Sequence, residues 1–146
     1  MLGSRLPMMR PVISKGLNEL VLIVKDVSLA RRFYLEVVGL SLDPHASEPD
    51  DEWTWFTTGE PTSARRIALH KGDLLFEEFS ALPAGQRFGS VHFAIGVDQR
   101  DWELGIDRLK NTGTPFYGPV RQSWMHATSV YFYDPDQNLV EWIMPD

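Results

Sequence analysis

Apolar and polar positions follow the same order in two separate stretches of the chain. Residues 17–24 and 90–97 are short, mainly apolar runs, and each predicts a strand. Apolar residues spaced three or four apart follow each strand and predict a helix. These helix positions are Leu29, Phe33 and Val37 in the first half and Trp102, Ile106 and Leu109 in the second. The chain is therefore predicted to hold two similar modules.

Short β-rich segments follow each predicted helix. They lie at residues 40–43, 53–57, 66–70 and 74–79 in the first half and at 129–133 and 139–143 in the second. Asp26 or Ser28 is expected to cap the first helix, and Gly39 to end it in a left-handed conformation. The predicted organisation is an N-terminal arm (1–16), a first module (17–81), a linker (82–89) and a second module (90–146).

Superposing the two halves aligns four polar residues. The first strands place Glu19 on His92, an offset of 73 residues (92 − 19). A later match of residues 75–77 with 139–141 places Glu77 on Glu141, an offset of 64 (141 − 77). Strand alternation turns all four side chains away from the helices, among apolar neighbours. A carboxylate there is costly unless it is paired, hydrogen-bonded or bound to a metal, so the pattern indicates a polar site.

Composition narrows the possible functions. A chain of 146 residues with 43% apolar residues is expected to form one domain of ordinary size. The absence of cysteine excludes disulfides, thiolate metal ligands and a catalytic thiol. A net charge of −6 argues against a nucleic-acid partner. No apolar run reaches membrane-spanning length and residues 1–16 lack the apolar core of a signal peptide, so we expect a cytoplasmic protein without a membrane partner.

Several segments together resemble one known superfamily. They are residues 18–26, 33–40, 75–77 and 91–94, and the run Tyr-Phe-Tyr-Asp-Pro-Asp-Gln-Asn-Leu-Val-Glu at 131–141. From residue 17 to residue 143 the chain resembles the vicinal oxygen chelate superfamily, which includes glyoxalase I, bleomycin-binding proteins and extradiol dioxygenases. The resemblance implies an α+β fold of two βαβββ modules, with curved mixed sheets forming a cavity, helices outside, and a homodimer.

The resemblance also implies a metal site in the first and last strands of each module. Carried over position by position, its ligands are Glu19, Glu77, His92 and Glu141, with Glu78 as an alternative to Glu77 if the strand register shifts. One imidazole and three carboxylates suit Mg²⁺, Mn²⁺ or Fe²⁺, with Zn²⁺ or Ni²⁺ also compatible. The alternative is a protein without metal, in which these side chains form a hydrogen-bonded cluster.

This sequence departs from the superfamily pattern at two positions. Glu19 stands where most members have His, and Gln137 stands where the turn normally has Gly. The turn must therefore place a residue with a Cβ at a positive φ angle or adopt another geometry. The first departure concerns function, because it changes a metal ligand.

Three classes of function remain compatible with the sequence. The first is a divalent-metal-dependent lyase or isomerase of the glyoxalase type, acting on a small oxygenated carbonyl substrate, with Glu141 or Glu77 as the base. The second is a metal-free drug-binding protein of the bleomycin-resistance type. An extradiol dioxygenase is disfavoured, because its Fe²⁺ needs two His and one carboxylate. The candidate substrate-pocket residues are Trp53, Trp55, Arg121, Trp124 and His126.

Overall fold

The structure, a computed structural model, describes residues 17, 19–60, 65–72 and 91–146. Its strands are β1 (Glu19–Val24), β2 (Ser41–Leu42), β3 (Trp53–Thr57), β4 (Arg66–Lys71), β5 (His92–Gly96), β6 (Phe116–Gln122), β7 (Ala127–Tyr133) and β8 (Leu139–Pro145). Its helices are α1 (Val27–Phe33), which continues as a π-helical segment (Tyr34–Val38), and α2 (Trp102–Asn111), which follows a 3₁₀ turn (Gln99–Asp101). A second 3₁₀ turn (Ser123–Met125) joins β6 to β7.

The strands form two mixed sheets of four. Sheet 1 has the order β1-β4-β3-β2 and sheet 2 the order β5-β8-β7-β6. β1 is parallel to β4 in sheet 1, and β5 is parallel to β8 in sheet 2; the other pairs among the described strands are antiparallel. The predicted fold, two βαβββ modules with open sheets, is confirmed. No helix in the described ranges is long and apolar enough to cross a membrane.

Strand register relates the two modules by a single offset. Glu19 pairs with Arg66 in sheet 1, and His92 pairs with Leu139 in sheet 2. Both equivalences are 73 residues apart (92 − 19 and 139 − 66). By this register the counterpart of Glu141 among the described strands is Ala68. Glu77, Glu78 and the strand expected at 74–79 lie outside the described residues.

Local sequence signals account for the helix boundaries. The Asp26 carboxylate accepts a 3.0 Å hydrogen bond from the backbone N–H of Leu29, which confirms Asp26 as the N-cap. Gly39 ends the π-helical segment at a φ of 86°, in the left-handed region that favours glycine. The buried side of α2 consists of Trp102, Ile106 and Leu109, as the apolar spacing predicted.

One hydrophobic core joins the two modules through Tyr34. Its ring lies 5.9 Å from that of Phe56 in sheet 1 and 6.5 Å from that of Phe93 in sheet 2, measured between centroids. Its hydroxyl donates a 2.7 Å hydrogen bond to the buried carboxylate of Asp134. Burial, followed by the nearby charge of Asp134, raises the pKa of the Tyr34 phenol. Tyr34 therefore remains a neutral donor that holds the first helix against the second module.

The turn before β8 is built around Asp134. One carboxylate oxygen accepts the backbone N–H groups of Asp136 and Asn138, and the other accepts the Asn138 side-chain amide at 2.8 Å. Gln137 has a φ of 67° within this turn, so a residue with a Cβ does occupy the left-handed position. The turn sets where β8 begins and thereby where Glu141 lies.

Candidate active site

His92 and Glu141 lie on adjacent strands of sheet 2 and are in direct contact. Glu141 pairs with Ala94 on β5, and His92 lies two residues before Ala94 on the same face of that strand. The distance from His92 Nε2 to Glu141 Oε1 is 3.0 Å. The His92 side chain is 51% exposed and that of Glu141 only 8% exposed. The contact therefore joins a buried carboxylate to an imidazole that solvent can reach.

Ser129 holds the other oxygen of the Glu141 carboxylate. The hydroxyl of this buried residue on β7 donates a 2.6 Å hydrogen bond to Glu141 Oε2. Two partners, Ser129 and His92, thus compensate the cost of burying the carboxylate. Because Ser129 occupies Oε2, Oε1 is the oxygen that faces the imidazole and the open side of the sheet.

The geometry of this pair fits two ligands of one metal ion. Two ligand atoms at about 2.1 Å from an octahedral ion, in neighbouring coordination positions, lie about 3.0 Å apart. The separation of His92 Nε2 and Glu141 Oε1 is the same, 3.0 Å. Within the described ranges, however, no group of three or more His, Asp or Glu side chains is placed to hold a metal ion. The described part of one chain therefore supplies two ligand positions.

Glu19 lies apart from that pair, on the open face of sheet 1. It is exposed, and it is opposite Arg66 in the parallel pairing of β1 and β4. The recorded ion-pair partner of Arg66 is Asp43, at 2.9 Å, and not Glu19. Glu77, the fourth expected ligand and a candidate base, lies outside the described residues.

Trp53 and Trp55 share the open face of sheet 1 with Glu19. Their rings stack with centroids 5.0 Å apart and an interplanar angle of 2°. His70 stacks on Trp53 at 4.0 Å. Both indoles are half-buried, so they form an aromatic surface on this sheet.

The other pocket candidates lie away from Glu141. Arg121 is opposite Thr128 in the β6–β7 pairing, one residue out of phase with Ser129, and its guanidinium binds the Asp146 carboxylate at 2.6 and 2.7 Å. Trp124 is 78% exposed in the 3₁₀ turn. His126 is exposed and has a φ of 49° at the end of that turn. None of these three has a recorded contact with His92 or Glu141.

A cavity of about 580 Å³ is lined mainly by residues of β6 and β7, and neither His92 nor Glu141 is among its lining residues. Its wall includes Tyr131, which pairs with Glu141 across β7 and β8 and whose ring lies 6.1 Å from that of His92. Gln122 donates a 2.6 Å hydrogen bond to the Tyr131 hydroxyl. Ser129, Tyr131 and Gln122 were not among the residues expected from the sequence to form the site. The sequence does contain a pattern that could have identified two of them. Strand alternation in residues 129–133 places Ser129 and Tyr131 on the same face.

Comparison with known proteins agrees with this architecture. The chain matches the Glyoxalase/Bleomycin resistance protein/Dioxygenase superfamily over residues 16–142. It is 28% identical over 127 residues to the glutathione transferase FosA of Serratia marcescens, covering 87% of this chain and 79% of that protein.

Solved structures show the same fold. A protein from the mobile metagenome of V. Pseudocholerae is 28% identical with a TM-score of 0.68, covering 94% of this chain and 99% of the other. The fosfomycin resistance protein FosX of Listeria monocytogenes, in a complex with Mn(II) and sulfate, has a TM-score of 0.64 at 20% identity and covers 92% and 93% of the two chains. The extent of the sequence match together with the paired βαβββ modules shows that this chain belongs to the Glyoxalase/Bleomycin resistance protein/Dioxygenase superfamily.

Proposed function

We propose that this protein is a divalent-metal-dependent lyase or isomerase that acts on a small oxygenated carbonyl substrate. The observation that carries this proposal is the His92–Glu141 contact of 3.0 Å on an open sheet face. A buried carboxylate fixed by Ser129, next to an accessible imidazole, presents two donor atoms at the spacing of neighbouring ligands. The structure of FosX with Mn(II) shows that one protein of this fold holds such an ion.

The proposed chemistry assigns separate tasks to the residues. A bound divalent ion would polarise a substrate oxygen and so acidify the neighbouring C–H bond. His92 and Glu141 would hold that ion through Nε2 and Oε1, while Ser129 keeps the carboxylate in orientation. A carboxylate, Glu141 or Glu77, would take the proton from the carbon next to the carbonyl. Tyr131, whose ring lies beside His92, would limit the space for the substrate.

We further propose that Glu19 completes the ligand set from a second copy of the chain, in a homodimer. Glu19 is exposed and is not grouped with His92 and Glu141 within the described part of one chain. The open face of sheet 2 carries the exposed aromatic residues Tyr117 (70%) and Tyr133 (61%), which contact with a second copy would cover. The cytoplasmic location expected from the sequence remains part of the proposal.

Metal binding by the purified protein tests the enzyme proposal. We expect isothermal titration calorimetry with Mn²⁺ to show stoichiometric binding that His92→Ala and Glu141→Ala each abolish. His45→Ala is the matched control, because His45 is an exposed histidine outside the site. Protein that carries no stoichiometric metal and gains no thermal stability from Mn²⁺, Mg²⁺, Ni²⁺ or Zn²⁺ would contradict the proposal.

Mixing two inactive variants tests the shared site. If Glu19 and His92 act together across a dimer, a heterodimer of Glu19→Ala with His92→Ala regains one intact site. We expect the mixture, after joint refolding, to bind up to about half a metal ion per dimer, whereas each variant alone binds little. A mixture that binds no more metal than the average of the two separate variants would show that Glu19 does not join His92 from another subunit.

The competing function is metal-free binding of a small molecule. One observation favours it: both oxygens of Glu141 already have partners in the protein, Ser129 and His92. In that case the pair is a polar cluster at the edge of a pocket. The original protein and the His92→Ala variant would then both contain no metal, and the substitution would change only the affinity for the small molecule.

A further inference from the structure

The open face of sheet 1 carries an arginine whose orientation is fixed by a buried acid. Arg66 Nε donates a 2.9 Å hydrogen bond to Asp43 Oδ2. The Asp43 side chain is 1% exposed, and its other oxygen accepts the backbone N–H of His45 at 2.8 Å. These hydrogen bonds, led by that of His45, hold the pKa of Asp43 below its usual range. Asp43 is therefore a fixed, ionised anchor for the guanidinium.

The rest of the Arg66 guanidinium is open to a ligand. The Nε bond is the only hydrogen bond recorded for this side chain among the residues that the structure describes, and the side chain is 32% exposed. Its two terminal amino groups are thus donors without a partner in those residues. A guanidinium offers these donors in a planar fork that matches the two oxygens of a carboxylate.

A buried hydroxyl beside Arg66 also lacks a partner. Thr57 pairs with Arg66 across β3 and β4, so the two side chains lie on the same face of the sheet. The residue is 2% exposed, and within the described ranges its Oγ1 has no hydrogen-bond partner. Buried hydroxyls are normally paired, and an unpaired one often lies where a ligand or water binds. Arg66 therefore offers two donor groups next to a buried hydroxyl that has no partner in the described ranges.

An aromatic surface borders the same place. Trp55 precedes Thr57 by two residues on β3 and lies on the same face, opposite Ala68. One side of its ring stacks on Trp53, which is further from Thr57 along the strand. The other side of the ring therefore faces the row of the sheet that holds Thr57 and Arg66. This surface suits a planar, apolar group attached to the bound oxyanion.

We propose that Arg66 and Trp55, next to Thr57, bind the carboxylate and ring of a small aromatic acid on the open face of sheet 1. Glu19, a proposed metal ligand, lies opposite Arg66 on the same face of the sheet. If the bound acid is the substrate of the metal site, this inference rests on the proposed function. The net charge of −6 opposes anion binding at long range, but screening limits this effect to about 8 Å at physiological salt. The Arg66 guanidinium, held in place by Asp43, contacts the bound anion at a much shorter distance, so the net charge does not prevent binding.

Benzoate is the probe that tests this inference. Calorimetry on the full chain should show saturable binding of benzoate, with weaker binding of acetate, which lacks the ring, and of benzyl alcohol, which lacks the charge. Arg66→Gln should weaken benzoate binding by about tenfold or more. Arg66→Lys keeps the charge and an ion pair with Asp43 but loses the fork, so we expect an intermediate loss. Trp55→Leu should reduce the preference for benzoate over acetate.

Two controls separate this site from the rest of the molecule. Arg100→Gln removes the same charge from an arginine whose side chain is 82% exposed, and it should leave benzoate binding unchanged. Benzoate binding is measured without added metal, so failure of the metal proposal is distinguishable from failure of this one. Absence of benzoate binding, equal loss in Arg66→Gln and Arg100→Gln, or tighter binding of inorganic phosphate than of benzoate would each overturn the inference. Thermal melts establish that the variants are folded.

Discussion

Ala68 occupies in the first module the position that Glu141 occupies in the second. Each is the third residue of the strand that runs parallel to the module's first strand, and they pair with Val21 and Ala94 respectively. The counterpart of Ser129 by the same register is Trp53, which has no hydroxyl. At these two matched positions the second module holds a buried carboxylate and its serine donor, whereas the first module holds an alanine and a tryptophan.

The Ser129 hydroxyl is expected to support both stability and metal affinity. Ser129→Ala removes the donor to Glu141 Oε2 and leaves that buried oxygen unpaired. We expect a loss of about 1–3 kcal/mol in the free energy of unfolding and of about 10–100-fold in Mn²⁺ affinity. Urea denaturation and calorimetry measure the two effects. Ser123→Ala, at an exposed position, should change neither; an unchanged Ser129→Ala protein would show that the contact contributes nothing.

Residue 19 is expected to tune the proposed metal site. Glu19→His replaces a hard anion by a neutral nitrogen, which favours Zn²⁺ or Ni²⁺ over Mg²⁺ and leaves more charge on the ion to polarise a carbonyl. Glu19→Gln should weaken Mn²⁺ binding less than His92→Ala does. Competition titrations with the four ions measure this shift. Glu36→His, on the exposed side of the first helical segment, is the control. If Glu19→His and Glu36→His show the same preference among the four ions, residue 19 is not a metal ligand.

The Tyr34 hydroxyl is expected to stabilise the contact between modules. Tyr34→Phe deletes the 2.7 Å hydrogen bond to Asp134 but keeps the buried ring. Because Asp134 retains the donors from Asp136 and Asn138, we expect a loss of about 1–2 kcal/mol in the free energy of unfolding. Denaturant titration measures it. Tyr133→Phe, on a side chain that is 61% exposed, should cost much less, and equal effects would contradict the role of burial.

Glycine at position 137 is expected to stabilise the turn before β8. Gln137 adopts a φ of 67°, which a Cβ makes unfavourable by about 1–2 kcal/mol. Gln137→Gly relieves that strain, and the greater flexibility of the unfolded chain offsets part of the gain. We expect a net gain of about 0.5–1 kcal/mol, measured by thermal and urea unfolding. Gln137→Ala keeps the Cβ and should bring no such gain.

The Asp43–Arg66 ion pair is expected to make stability depend on acid pH. The pKa of Asp43 lies below its ordinary value of 3.8 in the folded protein, so the unfolded chain binds more protons there. This contribution is complete above about pH 5 and is lost as the pH falls through the folded pKa. Asp43→Asn should flatten that part of the profile in urea unfolding from about pH 2 to pH 6. Asp98→Asn, at an exposed site, should leave the profile unchanged.

The sequence by itself determined the two modules, the start of the first helix to within Asp26 or Ser28, the Gly39 end of the first helical segment and the apolar side of α2. It also placed His92 and Glu141 in strands, facing away from the helices. These features follow from periods of two and of about 3.6 residues and from local capping, so neighbouring residues are enough to specify them.

The tertiary structure decided which side chains meet. Ala68 faces β1 at the position where Glu141 faces β5, because each parallel pairing joins strands that begin more than forty residues apart (66 − 19 = 47). Ser129 reaches Glu141, and Arg66 reaches Asp43, only through the register of strands that are distant in sequence. Such contacts depend on the packing of the whole sheet, and a pattern of apolar and polar positions carries no information about it.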